Sequence, residues 1–130
     1  MSDGPQHPEH DRAVTGSVAS AISNGIVQTF AEYVGRGPTR ARTTIDSDTV
    51  TTVLGGILTK AEQRLIGDGE GAMVLMLRQK YQQTMRDDLI AVVEAATERQ
   101  VVAFMSGNDL DADAAGEVFS LEPSPRFASV

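Results

Sequence analysis

Apolar residues recur at helical spacing in two long stretches of the chain, and at strand spacing in the segments that follow each. Val18, Ile22, Ile26, Phe30 and Val34 stand four apart and are broadened by Ala19, Val27 and Tyr33. This single stripe predicts an amphipathic helix over about Ala13–Val34. Gly35 follows where glycine best ends a helix. Arg40–Asp46 and Thr49–Leu54 are rich in Thr, Val and Ile, with turn-forming Asp46-Ser47-Asp48 between them. They read as a β-hairpin closed by Gly55 and Gly56.

Thr59 and Glu62 then form a capping-box pattern that opens a short helix with Ala61, Leu65 and Ile66 toward the core. Gly67, Gly69 and Gly71 break it. A long third helix is expected over about Ala72–Glu98, with Met73, Leu77, Tyr81, Met85, Leu89, Val92 and Ala96 inward. Arg78, Gln82, Arg86 and Glu94 fall on its polar side. Gln100–Ser106 and Glu117–Leu121 read as two more strands, joined by a ten-residue acidic connection.

The expected order is α-β-β-α-α-β-β, a helix followed by a hairpin given twice. The fold class is therefore α+β: a four-stranded antiparallel sheet with the helices packed on one face. The uncovered face, with Thr43, Thr44, Thr49 and Thr51 as strand positions, is open to water or a partner. Residues 1–12, polar and bearing Pro5 and Pro8, read as a disordered N-terminal tail. Residues 13–122 form one domain, and 123–130, with Pro123 and Pro125, a flexible C-terminal tail.

Composition narrows the chemistry more than it suggests it. The chain of 130 residues has no cysteine, which excludes disulfides, thiolate metal sites and a cysteine nucleophile. Its two histidines, His7 and His10, fall in the expected tail, so the body lacks the commonest base and metal ligand. No catalytic residue, metal site or cofactor is expected. The net charge of −7 disfavours nucleic acid and anionic lipid, and Phe104, Phe119 and Tyr33 lack the interleaved basic residues of an RNA-binding sheet. No apolar run approaches the roughly 20 residues needed to cross a bilayer. The N-terminus lacks a signal peptide's basic start and apolar core. A cytoplasmic protein without direct membrane insertion is expected.

Three segments carry polar residues that could do chemistry. Gly35-Arg36-Gly37-Pro38-Thr39-Arg40-Ala41-Arg42 sets three arginines in seven residues with no acid among them. Glycines free backbone N–H groups to turn toward a ligand, and guanidinium forks suit carboxylate or phosphate. Gly35, Arg36, Gly37, Pro38, Thr39, Arg40 and Arg42 are therefore the candidate site for an anion or an acidic partner. The competing reading is a helix stop followed by an edge strand whose arginines deter stray pairing. Asp109, Asp111 and Asp113 resemble the start of a calcium loop, but Ala114 and Ser120 stand where glycine and the closing glutamate belong. They read instead as a turn in which Asp111 or Asp113 caps a short helical segment. Asp87 and Asp88 are adjacent on a helix and point apart, Met73, Met76 and Met85 read as core filler, and Tyr81 has no base beside it.

Gly35-Arg36-Gly37-Pro38-Thr39, Ala41-Arg42, Thr59, Ala61, Glu62, Leu65, Val101–Ser106 and Glu117-Val118-Phe119 together resemble one recurrent bacterial pattern. It is that of the MpsC-like family, once a domain of unknown function and now labelled a component of a Na+-translocating membrane-potential-generating system. The resemblance spans roughly Thr15–Leu121. It implies association with a membrane complex, as a peripheral or regulatory subunit at the inner face of the membrane, and carries over no catalytic residue. The expected function is a non-enzymatic interaction or regulatory module, a homodimer, that contacts an acidic partner or small anion through its arginine turn. The rival readings are an accessory subunit of the Na+-linked system and an enzyme using carboxylate or Tyr81 chemistry.

Overall fold

The computed structural model describes residues 8–123. The chain runs α1 (Pro8–Val34), β1 (Arg40–Asp46), β2 (Thr49–Gly55), α2 (Lys60–Gly67), α3 (Gly71–Thr97), β3 (Val101–Asp109) and β4 (Ala114–Leu121). The expected α+β order is present, with one four-stranded antiparallel sheet ordered β1-β2-β4-β3. α1 begins at Pro8, ahead of the expected start at Ala13, so residues 8–12 of the expected tail are helical. Residues 1–7 and 124–130, with His7, lie outside the described residues.

The second hairpin is longer than expected. β3 continues to Asp109 and β4 begins at Ala114, so the ten-residue acidic connection is a turn over residues 110–113. Ala114, Ala115 and Gly116 face Asp109, Asn108 and Gly107 of β3 on one side and Gly55, Leu54 and Val53 of β2 on the other, and these ladders hold the small residues in the sheet despite their low strand preference. Asp113 adopts φ 53° at the end of the turn.

The register makes the internal repeat a geometric one. Thr52 faces Glu117 across β2 and β4, Thr43 faces Thr52 within the first hairpin, and Ser106 faces Glu117 within the second. A pseudo-two-fold axis between Thr52 and Glu117 thus exchanges the two hairpins. On the helix-covered face the strands alternate cleanly: Val50, Thr52 and Leu54 of β2 and Ala115, Glu117, Phe119 and Leu121 of β4 are buried. The other face has no helix over it, and Val53 and Met105 are more than half exposed there. Thr44 and Thr51 pair on this open face, whereas Thr43 belongs to the covered one.

α1 buries Ile22, Ile26 and Phe30, as its stripe predicts. The first half of α3 departs from prediction by one residue. Val74, Arg78 and Gln82 are the buried positions, continuous with Met85, Leu89 and Val93, while Met73, Met76 and Leu77 are exposed. In α2 the capping box forms as expected, but Glu62, not Ala61, is the buried residue.

α1 and α3 approach closely where Gly25 meets Val92. A Cβ on Gly25 would lie 2.6 Å from Val92 Cγ1. Gly25→Leu is expected to destabilise the fold by about 1–3 kcal/mol through overpacking. The loss measured by urea unfolding should shrink when Val92→Ala is present, because the two positions then no longer collide.

Candidate functional site

The arginine segment divides into an anchored half and an exposed half. Gly35 takes φ 93° after α1, and a Cβ on Gly37 would stand 2.9 Å from the Val27 carbonyl oxygen, so both positions call for glycine. Pro38 is buried. Arg36 donates from Nη1 to the Leu58 carbonyl at 2.7 Å, tying the turn to the loop before α2. Thr39 N–H donates to the Gly55 carbonyl at 3.0 Å and starts the β1–β2 ladder. Arg40 and Arg42 are exposed and, two residues apart on β1, share the open face. The Arg40 guanidinium lies over Gly55, where a Cβ would come within 2.8 Å of its Nε. Arg42 faces Val53. Among the described residues the ion pairs join Arg78 to Glu62, Arg86 to Asp87 and Arg99 to Asp48, and neither Arg40 nor Arg42 takes part in one.

A second cluster was not anticipated. Ser23 and Thr43 share a hydrogen bond of 2.7 Å, and Thr43 and Thr52 one of 2.9 Å. At the same level of the sheet Ser106 donates to Glu117 Oε1, and Gln82 Nε2 donates to Glu117 Oε2 at 3.2 Å. Asn108 and Gln82 join their amides, Asn108 Nδ2 to Gln82 Oε1 at 2.9 Å and Gln82 Nε2 to Asn108 Oδ1 at 3.1 Å. A polar row therefore crosses the covered face from α1 to α3, with Ile45, Val50, Phe119 and Phe104 on one side and Ala41, Leu54 and Ala115 on the other. Phe104 and Phe119 lie with ring centroids 4.9 Å apart.

Glu117 is fully buried in this row. Burial pushes its carboxyl up to about 7, against the pull of Ser106, Gln82 and the Arg78 charge. Arg78, also buried, donates from Nη1 to the Ile57 carbonyl at 3.2 Å and to Glu62 Oε1 at 3.3 Å. Its guanidinium carbon stands 5.7 Å from the centre of the Tyr81 ring, and its Nε has no hydrogen-bond partner among the described residues. The same Glu62 oxygen accepts from Thr59 N–H at 2.8 Å, so one carboxylate both caps α2 and neutralises Arg78. An open cleft of about 380 Å³ between α3 and β3, lined by Gln79, Gln83, Arg86, Phe104 and Ser106, lies beside Gln82.

Sequence periodicity missed Arg78 and Gln82 because it follows apolar residues, and Met73, Leu77 and Tyr81 stand one position away. The available signal was the unbroken face Val74, Arg78, Gln82, Met85, Leu89, Val93, which keeps helical spacing only if the polar pair is counted. The acidic turn also does something other than expected. Asp109 Oδ1 accepts from Ala112 N–H at 3.1 Å, and no helical segment forms. Asp113 Oδ1 instead accepts from Ile57 and Leu58 N–H at 2.7 and 2.8 Å, clamping the loop between β2 and α2. Asp88 accepts from the Tyr33 hydroxyl at 2.6 Å, away from Asp87. Among the described residues no group of three or more acidic side chains is placed to hold a metal ion.

Residues 14–123 match the sequence profile of a family described as the Na+-translocating membrane potential-generating system (MpsC). A segment of 58 residues is 41% identical to the uncharacterized protein YbcI of Bacillus subtilis (strain 168). The segment covers 45% of this chain and 47% of YbcI, so the match spans about half the length of that relative. No solved structure matches the chain.

Glu117 generates a pH dependence whose sign follows from its raised value. The unfolded carboxyl titrates at its ordinary 4.5, the folded one at about 7. The stabilising contribution of the neutral acid is complete below 4.5 and is lost as pH rises through 7, a difference of about 3 kcal/mol. Urea unfolding at pH 5 and pH 8 should show wild-type stability falling over this interval, and Glu117→Gln should flatten the fall.

Proposed function

The chain belongs to the MpsC family, and on that premise we propose that it is a non-catalytic interaction subunit that docks on an acidic surface of a partner protein through the open face of its sheet. The observation that carries this reading is the pairing of exposed apolar and cationic groups on one helix-free face. Val53 and Met105 are more than half exposed there, and Arg42, which faces Val53, has no ion-pair partner among the described residues. In a chain of net charge −7 an unneutralised guanidinium beside apolar side chains suits a patch with carboxylates around an apolar centre. Arg40 stands at the border of the same face; Arg36 and the glycines hold the turn in place.

The family's description supplies the setting. No helix among the described residues is long and apolar enough to cross a membrane. The reading is therefore a peripheral partner of a Na+-translocating assembly whose ion path is made by other chains. One observation favours an enzyme instead: Glu117, near neutrality, accepts from Ser106 at the edge of the α3–β3 cleft. In the reading preferred here that carboxyl is a buried structural group, since Ser106 and Gln82 occupy both its oxygens.

Cell fractionation tests the proposal. The wild-type chain should sediment with membranes only in cells that also express the membrane-spanning chains of the Na+-translocating assembly. Arg42→Glu combined with Val53→Lys should move it to the supernatant, with roughly tenfold weaker association, and should leave its melting temperature within a few degrees of wild type. Retention of the double variant on membranes, or membrane binding in cells without those partners, contradicts the reading.

A further inference from the structure

The sheet has two free edges, and they are built differently. β3 is interrupted by a register shift between Val101 and Ala103, a device that twists an edge away from further pairing. β1 is regular over its seven residues and carries Arg40, Arg42 and Asp46 on one face. An outer strand needs its backbone N–H and C=O groups covered or its side chains unwelcoming. Charge on β1 would serve the second purpose against most strands, but against one particular strand it does the opposite.

That strand is β1 of another copy. In an antiparallel pair, facing residues must lie on the same side of the sheet, which restricts self-pairing to registers centred on a residue. Centred on Arg42, the pair sets Arg42 against itself. Centred on Thr44, it also sets Arg42 against Asp46, but it uses only residues 42–46 of the strand and leaves both copies of Arg40 without a facing residue inside it. Centred on Thr43, the whole strand is used: Arg40 faces Asp46 of the other copy at both ends, Arg42 faces Thr44, and Ala41 faces Ile45 on the covered side. Opposite charges directly across a strand pair stabilise it, and like charges there oppose it. We propose that two copies of this chain join antiparallel along β1 about a two-fold axis at Thr43, with each Arg40 paired to the other copy's Asp46, to make one continuous eight-stranded sheet.

The surroundings of β1 leave room for this. Beside it runs an open groove of about 420 Å³, lined on α1 by Thr15, Gly16 and Ala19. A two-fold axis normal to the sheet keeps all helices on one side and brings the second α1 antiparallel to the first, where these short side chains allow close approach. The two open faces merge into one surface, with the two Arg42 residues near its centre. This edge pairing depends on the charge and register of β1, whatever the open face binds.

Sedimentation equilibrium at micromolar concentration is the test. The wild type should be a dimer. Arg40→Asp and Asp46→Arg should each weaken it roughly tenfold or more, because each places like charges across the strand pair. The two variants mixed should form a heterodimer, and Arg40→Asp with Asp46→Arg in one chain should restore the homodimer. The chain has no cysteine, so Arg42→Cys and Thr44→Cys chains, mixed under mild oxidation, should give a covalent dimer, a result that needs no charged variant to fold. A monomeric wild type, a dimer indifferent to both charge reversals, no cross-link in the mixture, or a dimer lost on Met105→Lys in β3 and kept on Arg40→Asp would each overturn the proposal.

Discussion

A carboxyl group sits at the centre of the sheet, and much of the architecture answers to it. Glu117 lies beside the pseudo-two-fold axis, facing Thr52 across it, with the apolar layer of Phe119 and Val50 on one side and that of Leu54 and Ala115 on the other. Removing such a group from water is costly unless its oxygens find partners. Those partners arrive from different elements: Ser106 from β3 and Gln82 from α3. Asn108 then fixes Gln82. The position of α3 over the second hairpin is thus specified by directional bonds as well as by shape. Residues 71–97 could slide on a purely apolar face; they cannot slide without breaking this chain of amides.

The Arg78–Glu62 pair extends the same logic to α2. A short helix of low apolar content has little to bury, since Leu65 and Ile66 are only half covered. It is held instead by a carboxylate that caps its own first turn and meets a buried guanidinium on α3. Asp113 then secures the approach to α2 through the Ile57 and Leu58 amides. The two consecutive helices and the distant turn between β3 and β4 are joined by one arginine and two acids. Replacing a single member leaves an unpaired charge or open amides in the interior, which costs more than the pair itself contributes.

Much of this fold is legible along the chain. The α1 stripe, the Thr59–Glu62 cap and the first hairpin follow from local rules that tertiary packing did not override. The family resemblance was likewise carried by residues such as Gly37, which packs on α1, and Phe119, which is core. What stayed hidden depends on partners distant in sequence. Arg78 and Gln82 look like a solvated helix face until Glu62 and Glu117 are known to lie opposite them. Asp113 looks like part of an acidic turn until the Ile57 and Leu58 amides are beside it. The arginine segment reads as one cluster in sequence, yet the strand period and the Leu58 carbonyl separate Arg36 from Arg40 and Arg42.

The register between β2 and β4 also bears on how the chain reaches this state. Each helix and its following hairpin are near neighbours in sequence and can meet early. Thr52 and Glu117 come together only when the long intervening segment, α2 and α3 included, has closed into a loop, and closure of that length is entropically slow. By contact order, this central pairing is the expected slow step of folding. Until it occurs, the inner edges of both hairpins are unpaired strands open to any other chain, so the interval before closure is when a crowded solution presents its greatest aggregation hazard.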